Sequence, residues 1–223
     1  MHFEAGDILA FYGEGWISRA IRLGTGGGPS HVGIVCRIDD AVIQQLGLVG
    51  TQTGLRLSRL NGEHVVIEST TLIERPCLVT GDRRDGVQVQ EPWQRIDDYH
   101  GQAVVHRLVP AWRLSTPESQ LLTQMLLRYY VLPRADYDRL RVVIAGTTRH
   151  LRGLLTRLVA PSPHAQFCSE LCAFALMRLN RLNHSNPLAY SPGGLVRELR
   201  RQGKTQRLRP TKPALRIWPN RAA

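Results

Sequence analysis

The sequence lacks any apolar run that approaches the ~20 residues of a membrane-spanning helix. Its first stretch, MHFEAGDILAFYGEGW, carries acids and no basic n-region, so it does not read as a secretory signal. We therefore expect a cytoplasmic protein, with export by a route that needs no such signal left open. The 223 residues are enough to bury a core and fit one domain with elaborations.

Cysteine is scarce, and the four cysteines are not regularly spaced. Without an export signal we expect reduced thiols. Cys168 and Cys172 are four apart, which on a helix leaves their Cβ atoms ~5–6 Å from each other, whereas a disulfide needs ~3.8 Å. A C-x3-C pair without a second cysteine pair or a close histidine pair is also a poor zinc signature. We therefore expect no disulfide, no metal and no cofactor.

Lysine is almost absent: Lys204 and Lys212 are the two lysines among 29 basic residues, and the net charge is +11. The excess of arginine over lysine has two possible explanations. It can reflect the codon composition of a G+C-rich genome or selection for phosphate binding. Residues 197–223 contain nine basic residues and one acid, Glu198. Such a tail could contact an anionic membrane or wall polymer, or it could simply be solvated. No aromatic residues interleave with the arginines, so we do not expect a nucleic-acid partner.

The hydrophobic pattern places strands early in the chain and helices late, which predicts an α+β fold. The predicted strands cover 6–12, 31–38, 64–69, 86–92 and 101–109. The predicted helices cover 16–24, 116–130, 137–159, 167–182 and 191–203, with Thr116 as an N-cap and Pro117 at a first helical position. We predict one domain over 1–203, with insertions of uncertain structure at about 39–63 and 142–163. A basic, proline-containing tail follows over 204–223.

Cys168 is the strongest candidate for a chemical role. It stands in the first turn of the helix predicted over 167–182, where free N–H groups and the helix dipole favour an anion. A thiolate is stabilised there, and the same N–H groups could hold a developing oxyanion. Cys172 is one turn deeper, and we interpret it as a packing residue.

A cysteine nucleophile needs a base, and His31 is the most suggestive histidine because it begins a strand after the flexible GGGPS. Gly33 follows on the same face, and we expect its missing side chain to let the Cys168 helix dock close to the sheet. Glu68 ends the next strand. If the two strands pair, its carboxylate could orient the second imidazole nitrogen. The rival histidines are His64, His106 and His164.

Several segments together resemble the permuted papain-like amidases of the NlpC superfamily, including its YiiX/YaeF-like members and the related lecithin:retinol acyltransferase-like proteins. They are GDILAFYGEGWISRAIRLGTGGGPSHVGIV, VVIEST, ADYD, FCSELCAFAL and YSPGGLV. The resemblance implies a circularly permuted papain-like fold, in which an antiparallel sheet packs against helices and the nucleophile stands at a helix N-terminus. It implies Cys168 as nucleophile, His31 as base, Glu68 as the polar third residue and Tyr137 as a residue near the oxyanion site.

We therefore expect a cysteine hydrolase that cleaves an amide or acyl bond in an acylated or peptide substrate, such as cell-wall peptide or lipid-linked material. Two alternatives stay open. One is acyl transfer or lipid-ester cleavage through the same thioester. The other is a non-catalytic protein on the same fold that binds a polyanion through its basic tail. The sequence indicates no oligomeric state.

Overall fold

Two sheets and a set of helices make up the computed structural model, which describes residues 1–24, 27–71, 74–134, 136–137, 165–166, 168–183 and 186–211. The strands in these ranges are β1 (Ile8–Gly13), β2 (His31–Arg37), β3 (His64–Thr70), β4 (Gly86–Gln90), β5 (Gly101–Leu108), β6 (Asp136–Tyr137), β7 (Ala165–Gln166) and β8 (Thr205–Leu208).

Seven α-helices lie in the same ranges. They are α1 (Trp16–Gly24), α2 (Asp40–Gln45), α3 (Gln52–Ser58), α4 (Pro92–Asp97), α5 (Thr116–Leu126), α6 (Cys168–Arg178) and α7 (Pro192–Arg201). A π-helical turn, Leu127–Val131, continues α5. Within the described residues, no helix has both the length and the apolar character that a bilayer crossing requires.

The main sheet has six strands in the order β4-β3-β2-β1-β5-β8, and every neighbouring pair is antiparallel. The predicted α+β class is therefore confirmed. The two short strands β6 and β7 pair in parallel beside it and lie against β3 and β4.

Apolar side chains alternate along the strands and form a core on each face of the sheet. On one face Val32, Ile34 and Cys36 of β2 pack with the buried residues of α5, α6 and α7. On the other face Phe11 and Val35 belong to a smaller core that includes residues of α4 and the N-terminal segment. Helices thus cover one face broadly, while α4 and the chain start cover the other.

Helix α5 begins one residue earlier than the sequence pattern suggested. Ser115, and not Thr116, is the N-cap, and it forms a capping box with Glu118. The Ser115 backbone N–H donates to Glu118 Oε2 at 2.8 Å. Pro117 is therefore the second helical residue and not the first. Because the N–H groups of the first turn have no partner within the helix, a proline fits at either position. The Thr116–Pro117 pair alone thus could not determine where the helix begins.

Two predicted outlying segments contribute regular structure. The segment 39–63 forms α2 and α3, capped by the side chains of Asp39 and Thr51. The segment after residue 203 does not leave the domain as a tail, because Thr205–Leu208 forms β8 and pairs with β5 at the edge of the sheet. The rest of the predicted tail, from residue 212, lies outside the described residues, as does the predicted insertion at 142–163.

Gly33 makes room for a neighbouring strand and not, as the sequence suggested, for the Cys168 helix. A Cβ atom at this position would lie 2.7 Å from Val66 Cγ2 and 3.1 Å from Glu68 Cβ, both on β3. The space that a side chain would need is therefore filled by β3, and one of the two occupants is the predicted orienting carboxylate.

We predict that Gly33→Ala destabilises the fold by about 1–3 kcal/mol, as expected for overpacking a closely packed position. Thermal unfolding measures the change. Gly15→Ala is the matched control, because a Cβ atom there meets nothing within 4 Å. Equal unfolding temperatures for the two variants would contradict the packing described at Gly33.

Candidate active site

Cys168 is the first residue of α6 and is fully buried. The helix packs against β2 and β3, so its N-terminus stands over the part of the sheet where the second predicted site residue lies. The first N–H groups of an α-helix have no partner within the helix, and the helix dipole is positive at that end. The predicted placement of Cys168 at a helix start is therefore what the structure shows.

His31, the first residue of β2, joins the cysteine to the glutamate. Its pKa is raised in part by interaction with the Cys168 side chain, and its Nε2 lies 2.6 Å from Glu68 Oε2. Because an ionised carboxylate only accepts hydrogen bonds, Nε2–H is the donor in this contact. The other ring nitrogen, Nδ1, is left for the sulfur. The His31 side chain keeps 13% exposure, so the ring borders solvent.

Glu68 occupies the same site because β2 and β3 pair, which was the condition the sequence left open. Its side chain is fully buried. One carboxylate oxygen, Oε2, accepts from His31, and the other, Oε1, accepts from Arg95 Nε. A buried carboxylate that bridges two cationic groups has both of its oxygens fixed in direction.

Arg95 was not predicted as a site residue, and it lies on α4 with a side chain that is only 6% exposed. Its guanidinium carbon lies 4.8 Å from the ring centre of Phe11 and 5.3 Å from that of Tyr99. The pair Glu91–Pro92 could have suggested a helix start, since Glu91 caps α4. No local pattern, however, could link one of 27 arginines to Glu68.

A short polar network fixes the backbone just before His31. The Ser30 hydroxyl donates to the carbonyl of Phe11 at 3.2 Å and accepts from the backbone N–H of Gly13 at 3.2 Å. It also lies 3.3 Å from the Tyr99 hydroxyl. The Phe11 and His31 rings are 5.6 Å apart, so aromatic packing and the Ser30 bonds together determine where the imidazole sits.

The electrostatic balance favours a charged pair at this site. Burial alone would lower the pKa of His31, but its interactions with Cys168 and Glu68 raise it to about 9. Burial alone would raise the pKa of Glu68, but the positive charges of Arg95 and His31 lower it to about 2. Between about pH 2 and pH 9, an imidazolium therefore faces a carboxylate.

Tyr137, the fourth predicted site residue, lies in β6 and not in the helix predicted over 137–159. Its backbone pairs with Gln166 of β7, two residues before Cys168. The chain at Tyr137 is therefore close to the start of α6. The rest of the predicted helix lies outside the described residues, and the role of Tyr137 stays a prediction.

The two rival histidines that the structure describes lie away from Cys168. His64 pairs with Arg37, the last residue of β2, whereas His31 is its first residue, so the two histidines lie at opposite ends of the sheet. His106 is buried on β5, and neither ring nitrogen has a hydrogen-bond partner in the described structure. Burial, with the charges of Arg200 and Arg207, lowers the pKa of His106 to about 4. His164 lies outside the described residues.

The other cysteines belong to the core. All four cysteines are free thiols. Burial raises the pKa of Cys172 well above its ordinary value, and electrostatic interaction with Cys168, Cys36 and Glu68 raises it further. Burial also raises the pKa of Cys36. The position of Cys172, one turn into α6 and fully buried, agrees with a packing role.

A solved structure from Escherichia coli O157:H7, described as the metalloprotein yiiX of DUF1105, is similar to this chain. The two are 17% identical with a TM-score of 0.52, and the match covers 94% of this chain and 98% of the other. The likeness shows a yiiX-like fold of helices and antiparallel sheet. No protein-family model matches the chain, and no curated protein matches it.

The yiiX structure is described as a metalloprotein, so we asked whether the described residues of this chain could hold a metal ion. In the part of this chain that the structure describes, no three His, Cys, Asp or Glu side chains are grouped so that they could hold a metal ion. Two of the groups at the site, His31 and Glu68, are already bonded to each other. We therefore derive no step through a metal.

We predict that Glu68→Gln lowers the pKa of His31 from about 9 toward its ordinary value, because the variant removes one of the negative charges that raise it. A proton NMR titration of the imidazole measures the shift, with His31→Gln to assign the signal. Glu91→Gln is the control, since it removes the charge of another buried glutamate, the cap of α4. An unchanged His31 titration in Glu68→Gln would contradict the electrostatic account.

Proposed function

We propose that the protein is a cysteine hydrolase that cleaves an amide or related acyl bond through a thioester with Cys168. One observation carries the proposal: a cysteine at a helix N-terminus interacts with a histidine whose Nε2 is held by a buried glutamate. A nucleophile, a base and a group that orients the base are the three parts that nucleophilic acyl transfer requires.

We also propose that the fold is a circularly permuted papain-like fold. The order along the chain supports this proposal, since His31 and Glu68 lie on early strands and Cys168 on a late helix. The antiparallel sheet with the cysteine helix packed on it agrees with the arrangement that the sequence resemblance implies. The yiiX-like fold is consistent with the same assignment.

In the proposed reaction, the Cys168 sulfur attacks the substrate carbonyl carbon and forms an S–C bond. The His31 imidazolium gives its proton to the leaving amine as the C–N bond breaks, which leaves a thioester and a neutral imidazole. A water molecule then attacks the thioester while His31 takes its proton. The S–C bond breaks, the product leaves as a carboxylic acid, and the thiolate–imidazolium pair returns.

The first turn of α6 would stabilise the negative oxygen that forms at each attack. Its free N–H groups stand beside Cys168, so one helix end supplies both the nucleophile and the oxyanion donors. The backbone of Tyr137 is near this helix end, and we propose that its hydroxyl assists there.

Access to the sulfur limits which substrates can react. Cys168 has no exposed surface, while His31 borders solvent. We propose that the carbonyl group of an acylated amine or a peptide approaches the sulfur from the His31 side, where the ring borders solvent.

We predict that Cys168→Ala abolishes turnover and that Cys172→Ala, one helical turn away, retains it. A panel of amide, peptide and lipid-ester substrates is incubated with each variant, and intact-protein mass spectrometry detects the acyl adduct after rapid acid quench. Removing the base with His31→Ala is expected to slow acylation roughly 10²–10⁴-fold. Turnover at the full rate in Cys168→Ala, or an adduct on another residue, would overturn the proposal.

A further inference from the structure

We propose that Arg95 is a positioning residue that keeps Glu68 ionised and directed at His31 while His31 changes its own charge during the reaction. The inference rests on the proposed function, because it assigns a role within the same site. It adds a fourth member that neither the sequence nor the resemblance indicated.

The two partners of Glu68 bind different oxygens of its carboxylate. His31 bonds Oε2 and Arg95 bonds Oε1, so each cation holds a different oxygen of one fully buried carboxylate. Arg95 reaches this position from α4, on the far side of Glu68 from the imidazole. It does not touch Cys168 and has no direct part in the chemistry.

The need for a second cation follows from the proposed reaction. When His31 gives its proton to the leaving group, it becomes neutral and no longer balances the charge of Glu68. A buried carboxylate without an opposite charge favours proton uptake. A protonated Glu68 would hold the imidazole less firmly and would not stabilise the returning imidazolium. Arginine does not lose its proton in a protein, so Arg95 balances Glu68 at every stage.

The surroundings of Arg95 fix its position without binding all its donors. The guanidinium lies against the Phe11 and Tyr99 rings, which gives cation–π attraction and restricts its motion. Among the described residues, its buried Nη2 has no hydrogen-bond partner. The hydrogen bond and ion pair that the described side chain makes are with the Glu68 carboxylate.

Titratable groups approach Glu68 from several elements and must be considered together. His31 on β2 and Arg95 on α4 lower its pKa, Glu68 itself raises the pKa of Cys172 on α6, and Cys168 on α6 acts on His31. The residue opposite Glu68 on β4 is Gln88, which carries no charge. Removing Arg95 would leave His31 as the one cation among these groups.

The test compares Arg95→Met, which removes the charge, with Arg95→Lys, which keeps it. Carbon NMR of the Glu68 side-chain carboxyl, assigned with Glu68→Gln, follows its protonation as the pH is lowered. We expect the midpoint in Arg95→Met to rise by at least about one pH unit, a tenfold change in proton affinity. The midpoint in Arg95→Lys stays close to that of the unaltered protein.

Arg107→Gln is the matched control. Arg107 is also largely buried, at 11% exposure, and pairs with the buried Asp7 on a different part of the sheet. If it moves the Glu68 midpoint as much as Arg95→Met does, a general loss of stability is the cause and the proposal fails. An unchanged midpoint in Arg95→Met also overturns it.

Arg95→Gln covers the case in which the methionine variant does not fold. Glutamine keeps a hydrogen-bond donor but has no charge. If the midpoint of the Glu68 titration is unchanged in this variant, a hydrogen bond and not the charge holds Glu68, and the proposal fails. None of these titrations needs a substrate. If Arg95→Met raises the Glu68 midpoint but the unaltered protein cleaves no substrate, the role of Arg95 stands and the proposed hydrolase activity fails.

Discussion

A buried glutamate with a cation on either side organises this site. Placing a carboxylate where no water reaches it is unfavourable unless opposite charges and hydrogen bonds compensate. Glu68 has both, from His31 on β2 and from Arg95 on α4. The sheet register, the position of α4 and the absence of a side chain at Gly33 all serve this arrangement, because each is needed to bring the three groups together without a steric clash.

The proposed chemistry depends on where His31 and Cys168 lie within their elements. His31 is the first residue of its strand, and Cys168 is the first residue of its helix. Free backbone N–H groups occur at a helix start, which is where Cys168 lies. The network of Ser30 with Tyr99 and the β1 backbone fixes the approach to His31. A reactive pair can thus form between elements that belong to different layers.

The sequence predicted the parts of the molecule that depend on local pattern. Alternation predicted β2 and β3, helical spacing predicted the helix of Cys168, and the possible pairing of the two strands brought His31 and Glu68 into one hypothesis, which the resemblance then supported. Arg95 could not be found this way, since its importance comes from a contact between α4 and β3 that no short segment encodes. The edge strand β8 was missed for a similar reason: the mostly polar segment TQRL forms a strand because β5 offers a free edge.

The most direct measurement of the central claim, that Cys168 and His31 form one reactive pair, uses dibromoacetone, a reagent that alkylates a thiol and then a second nucleophile within reach. After proteolysis, tandem mass spectrometry identifies the bridged residues. The account predicts one principal product, in which a three-carbon bridge joins Cys168 to His31, and its loss when residue 31 is glutamine. A reagent that labels Cys168 but leaves His31 free, or that bridges Cys168 to another residue, would contradict it.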